Sequence, residues 1–148
     1  MNRIVTKVAA NITCDGKLLV FSQADFPEAG TQIPAGTVDE DENLDKEVRR
    51  EVIEETGLSD LKIESYLGVK AYDLHSFEGR EIDVHSHYYH LSVPGPIKED
   101  RWQHWEMSPS EGPKDPILFE LYWVKIPEEI PDLAGELGDM LDKLMINE

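Results

Sequence analysis

From Asn43 to Thr56 the chain has no proline and no glycine, and Leu44, Val48 and Val52 recur at every fourth position. That spacing puts three aliphatic side chains on one stripe of an α-helix. Gly57 follows directly and supplies a C-terminal stop, because glycine enters the left-handed conformation without a steric penalty. A helix with such a stripe must bury it, and the sequence on both sides is β-rich. Arg3 to Thr13 is β-branched and Ala-rich and ends at Asp15-Gly16, a hairpin signal ahead of the apolar run Lys17 to Phe21. Ile33 precedes Pro34 and Gly36, where a strand is expected to end. Two further β-rich runs extend roughly from Leu61 to Leu74 and from Glu81 to Val93, with a turn at Phe77 to Arg80; a third runs from Ile117 to Ile126. Pro94 to Pro116 carries five prolines and two glycines and reads as a long connection without regular structure. Past Pro127 and Pro131, the set Leu133, Leu137, Met140, Leu141 and Leu144 predicts a C-terminal amphipathic helix. The order strands, helix, strands, helix gives an α+β fold with a mixed sheet covered by helices. At 148 residues, a single domain over 1–148 is expected.

Charge narrows the function. Asp and Glu number 31 against 14 Lys and Arg, a formal net charge of −17. That excludes a general nucleic-acid binder, RNA-end processing included, and argues against docking on anionic membranes. An acidic protein that handles phosphates needs a metal ion to invert the local charge. The single cysteine, Cys14, rules out an intrachain disulfide and reads as a small buried hydrophobe in a reducing compartment. With no signal-peptide pattern and no apolar stretch of membrane-spanning length, the expected location is cytoplasmic.

The helix carries a second, acidic stripe. Glu47, Glu51, Glu54 and Glu55 lie at i, i+4, i+7 and i+8 and share a face beside the aliphatic one. Their like-charge pairs cost on the order of 1 kcal/mol together. They also crowd the helix C-terminus, where the macrodipole disfavours negative charge. A conflict of this kind tends to mark function. A bound divalent cation relieves it, and hard oxygen donors suit Mg²⁺ or Mn²⁺ over zinc. The plainer alternative is a solvated helix whose glutamates pair with Lys46 and Arg50.

The surrounding residues favour the metal. Gly36 to Leu58, GTVDEDENLDKEVRREVIEETGL, fits the pattern G-x5-E-x7-R-E-U-x-E-E-x-G-U at every fixed position: Gly36, Glu42, Arg50, Glu51, Val52, Glu54, Glu55, Gly57 and Leu58. The segment resembles the Nudix box, and the chain is similar to the MutT-like Nudix hydrolases. That resemblance implies a mixed β-sheet sandwiched between α-helices. It implies a Mg²⁺- or Mn²⁺-dependent diphosphatase acting on a nucleoside diphosphate linked to a moiety X. It implies Glu51, Glu54 and Glu55 as metal ligands, with the Gly36 carbonyl oxygen beside them. An ion pair of Arg50 with Glu42 would orient helix and loop, and Gly57 would close the helix. In the family the general base is a box glutamate or one on a distant loop. Glu51 is the leading candidate here, with Glu99, Glu106 and Glu111 as alternatives. The expected partner is a small nucleotide, with no nucleic acid and no membrane. Relatives often dimerise, so a homodimer is one expected assembly, with Phe119 to Trp123 as a candidate interface.

The choice of X is less legible. A nucleoside triphosphate or a nucleotide sugar is expected. No proline lies between Gly57 and Pro94, against the ADP-ribose hydrolases. Tyr72 lies near where dinucleoside polyphosphate hydrolases carry a tyrosine, which keeps that narrower class as an alternative. Trp102 and Trp105 could stack on a base or pin the loop to the core. His85 and His87 fall on one strand face and His90 on the other, with no third zinc ligand apparent. A non-catalytic Nudix-fold sensor is a further alternative, but such proteins commonly lose a box glutamate and this chain keeps all of them. An isoprenoid diphosphate isomerase would depart from this box and need an active-site cysteine, which Cys14 at a strand end does not suit.

Overall fold

The computed structural model describes residues 3–39, 42–75, 81–107, 115–134 and 137–146. Strand β1 (Arg3–Cys14) turns into β2 (Lys17–Gln23) through Asp15 and Gly16, at φ 52° and 75°. Two consecutive left-handed residues make the tight turn expected of Asp-Gly. The hairpin then opens. β1 and β2 pair only at Thr13–Leu18 and Cys14–Lys17. Beyond that point β3 (Ala35–Val38) takes the free edge of β1, antiparallel from Thr6–Val38 to Ala9–Ala35. Gln32 exchanges backbone hydrogen bonds with Phe21 of β2 at 2.8 and 2.9 Å. The sheet is thus forked, with residues 31–38 wedged into the fork.

Strands β4 (Lys62–His75), β5 (Glu81–Ser92), β6 (Arg101–Glu106) and β7 (Ile117–Lys125) complete it in the order β4-β5-β1-β2-β7-β6. β1 and β5 are parallel and the other pairs antiparallel, so the sheet is mixed, as expected. Strand alternation divides the core in two. Val8, Ala10, Ile12, Leu19 and Phe21 face one side, where Val48 and Val52 of α1 (Leu44–Thr56) cover them. Ala9, Leu18 and Val20 face the other, under Met140 and under Leu144 of α2 (Leu141–Ile146). Among the described residues no helix is long and apolar enough to cross a membrane.

Three expectations are corrected. The strand near Ile33 does not end there; β3 begins just after, at Ala35, because Pro34 has no N–H for a ladder. Pro94 to Pro116 is not structureless, since it contains β6, whose Trp102, His104 and Glu106 turn inward while Arg101, Gln103 and Trp105 are exposed. That period of two was present in RWQHWE but masked by the prolines around it. The C-terminal helix is shorter than its pattern, because Ala134 donates its N–H to Thr31 O (2.8 Å) and Leu133 bridges to Thr31, which holds this stretch beside the fork. The Phe77 to Arg80 turn lies outside the described residues.

Candidate active site

Helix α1 starts where Asn43 Oδ1 accepts the Lys46 N–H at 3.1 Å and stops at Gly57, φ 79°, whose N–H bonds Ile53 O. The Gly57 stop is the one the sequence predicts, and the Asn43 side chain supplies the opposite cap. With Val48 and Val52 pressed on the sheet, the acidic stripe is carried inward beside them. Glu47, Glu51 and Glu55 are buried, and Glu54 is half-exposed at the rim. Opposite them, β3 passes so close that a Cβ at Gly36 would run into the Glu51 carboxylate. Glu55 accepts the Ala35 N–H at 3.3 Å. Gly36, Glu51 and Glu55 therefore form one contiguous group.

Arg50 binds inside this group. Its guanidinium donates to Glu47 (2.7 Å), Glu54 (2.8 Å) and Glu51 (3.2 Å). The expected Arg50–Glu42 pair is replaced by these contacts. Glu42 lies exposed ahead of the helix cap, while Glu47 and Glu54 sit one turn on either side of Arg50.

The other wall is β6. The last carbonyls of a helix lack intrahelical partners. Trp102 Nε1–H donates to Thr56 O at 2.9 Å, and His104 Nε2 bonds Glu54 O at 3.0 Å. A Cβ on Gly57 would stand 3.1 Å from the His104 ring, so glycine here also admits the clamp. Two residues further on, Glu106 is buried, and its carboxylate, Glu51 and Glu54 bring ligand oxygens within 4.8 Å of one another. Of the alternative bases, Glu106 joins the cluster. Glu99 is exposed beside a separate cavity containing Cys14, and Glu111 lies outside the described residues. Trp102 pins β6 to α1, and Trp105 is exposed on the opposite face.

The electrostatics match a cation site. Burial pushes Glu51 up to about 7, against the pull of Arg50 and with help from Glu54 and Glu106. Burial raises Glu55 well above the carboxylate range, with Glu51 and Glu106 adding to it. Buried carboxylates that repel one another and offer only hard oxygens fit a divalent metal. The histidines stand elsewhere. His87 Nδ1 bonds Tyr66 OH at 2.8 Å, His90 bonds Thr13 Oγ1, and His85 lines a small pocket with Tyr72 and Asp83. Cys14 is buried, its thiol pushed up by burial and by Asp15.

The carboxylates open onto a cavity of about 320 Å³ in the fork of the sheet. Gly36, Glu55 and Glu106 line it, as do Lys7, Gln23, Gln32 and Ser86. Nothing in the sequence pointed to Gln23 or Gln32, or to Trp102 and His104 as a clamp, because their neighbours come from distant segments.

The sequence profile of the NUDIX domain matches residues 4–143. No curated protein matches the chain significantly. Among solved structures, a MutT NUDIX hydrolase from Burkholderia pseudomallei is similar at 22% identity and TM-score 0.57, covering 97% of this chain and 99% of that one. A UDP-X diphosphatase is similar at 15% identity and TM-score 0.62, with 98% of this chain aligned to 63% of that one. The NUDIX domain of NrtR from Shewanella oneidensis, solved with ADP ribose, aligns over 99% of this chain and 88% of that one, at 14% identity and TM-score 0.58. At such identities the likeness is one of fold. The profile match decides membership, and the chain belongs to the Nudix family. It is by class a Nudix pyrophosphohydrolase, in a family that generally uses a divalent metal to hydrolyse nucleoside diphosphate derivatives.

Proposed function

We propose that this chain, acting as one Nudix domain, hydrolyses a diphosphate bond in a small nucleotide, a nucleoside triphosphate or nucleotide sugar, with Mg²⁺ or Mn²⁺. The observation that carries the reading is the convergence of Glu106 from β6 on Glu51 and Glu54 of α1. Glu51, Glu54, Glu55 and Glu106, with the Gly36 carbonyl, would hold the metal. Bound there, a divalent ion offsets phosphate charge and lowers the pKa of a coordinated water. Glu51 takes the proton of the attacking water. The water oxygen would form a new bond to phosphorus as the bond from phosphorus to the bridging oxygen breaks, and the bridging oxygen would leave as part of the second phosphate. Arg50 orients Glu47, Glu51 and Glu54 through its three hydrogen bonds, and Gly36 leaves room for the Glu51 carboxylate.

The test is turnover of nucleoside triphosphates, nucleotide sugars and dinucleoside polyphosphates with Mg²⁺ or Mn²⁺, following phosphate and diphosphate separately, with Glu55→Gln as control. Metal-dependent release that is lost in the control supports the reading, and the product pattern names the bond. Nucleotide binding without turnover points instead to a sensor.

A further inference from the structure

The neutral end of the fork cavity is built from two carboxamides. Gln23 pairs with Phe119 across β2 and β7, and Gln32 bridges to Phe21, so both share a sheet face with the Phe21–Phe119 ring pair, centroids 4.3 Å apart. Ile117 pairs with Glu106, which puts that carboxylate on the same face. Both glutamines line the cavity, and their side-chain amides bond no other described residue. Lys7 is the one cation among the described residues that line it. The nearby arginines are occupied elsewhere: Arg49 on Leu61 O, Arg50 on the glutamates and Arg101 over the Tyr122 ring.

An anionic group held by side chains alone takes a guanidinium or several ammonium groups. Two neutral amides beside an apolar wall of Phe119 and Ile117 instead match a flat ring whose edge alternates donors and acceptors, the pattern a glutamine can meet with paired hydrogen bonds. About 320 Å³ is at the small end for ligand sites, room for one nucleoside but not for a nucleoside together with X. We propose that Gln23 and Gln32 read the nucleobase, and that the enzyme selects its substrate by base and leaves X at the open, acidic mouth. This rests on the diphosphatase reading for the position of the phosphates, but the binding of a base can be read without turnover.

The probes are adenosine, guanosine, cytidine, uridine and ribose, titrated into the metal-free full chain and followed by NMR at the side-chain amides of Gln23 and Gln32. The expected result is movement of those signals by at least one nucleoside and by no ribose, with affinities across the four bases spread at least about fivefold. Gln23→Met and Gln32→Met keep the volume and remove the amide. Each should shrink that spread while thermal melting stays near wild type. If either variant unfolds, the amide shifts in the wild-type chain still decide. No shift up to about 10 mM nucleoside, or equal shifts with ribose, overturns the proposal. So does a wider spread of turnover among different X groups on one base than among bases on one X. Base-selective binding without turnover would sink the diphosphatase and keep the base reader, whereas turnover indifferent to base would do the reverse.

Discussion

The two ends of the fork cavity are built on opposite principles. At the acidic end, Glu51, Glu54, Glu55 and Glu106 are crowded together, with Arg50 donating to Glu51 and Glu54 and the Ala35 N–H to Glu55. At the neutral end, Gln23 and Gln32 carry no charge and have no partner among the described residues. The first end spends folding free energy on repulsion that a cation would relieve, and the second leaves donors and acceptors open for a ligand. On the proposed readings, chemistry and selection would be separated within one cavity.

The sharpest way to break this separation is Glu51→Gln. Turnover should fall by at least about a thousandfold, as for loss of a base and ligand together, while nucleoside shifts at Gln23 and Gln32 stay as in wild type. Steady-state kinetics and the NMR titration check it, and a change in base preference would merge the two ends. Gly36→Ala comes next. The added methyl displaces the Glu51 carboxylate, so turnover should drop about a hundredfold with thermal stability nearly unchanged.

The acidic end also makes a pH signature. Glu51 and Glu55 hold their protons more tightly folded than unfolded, since burial raises Glu51 from 4.5 to about 7 and Glu55 further. Their contribution to metal-free stability is fully present below about pH 4.5 and is lost as pH rises through about 7. The melting temperature without metal should therefore fall between pH 5 and 8, by roughly 5 °C, and added Mn²⁺ should raise it more at pH 8 than at pH 5. Scanning calorimetry at both pH values tests the sign. The smallest effect belongs to the clamp. His104→Leu removes the bond to Glu54 O and should cost about 1 kcal/mol of stability and several-fold in turnover. In a Glu106→Gln background the same change should cost stability but little further turnover, because its action on rate runs through Glu106.

How much of this was legible follows from where the residues lie in the chain. The acidic end was readable because Glu51, Glu54, Glu55 and their aliphatic neighbours share one helix, and a periodicity of 3.6 exposes a face without tertiary knowledge. Gly36 and Gly57 were readable through the box, although what each makes room for, a carboxylate and a histidine ring, is tertiary. Glu106 was only one glutamate among three until β6 brought it across. The Arg50 partners were misassigned because the box fixes a spacing and not a rotamer. The neutral end had no signal at all. Gln23, Gln32 and Ser86 come from different segments, and two isolated glutamines in β-rich sequence look like surface residues.

On the proposed reading, the carboxylates of α1 and β6 make one metal site. Titration of the metal-free chain with Mn²⁺, wild type against Glu54→Gln and Glu106→Gln, tests it most directly. The wild type should bind, and binding should weaken about tenfold in each variant, though the two residues stand 52 positions apart in sequence. Wild-type affinity retained in Glu106→Gln would contradict it.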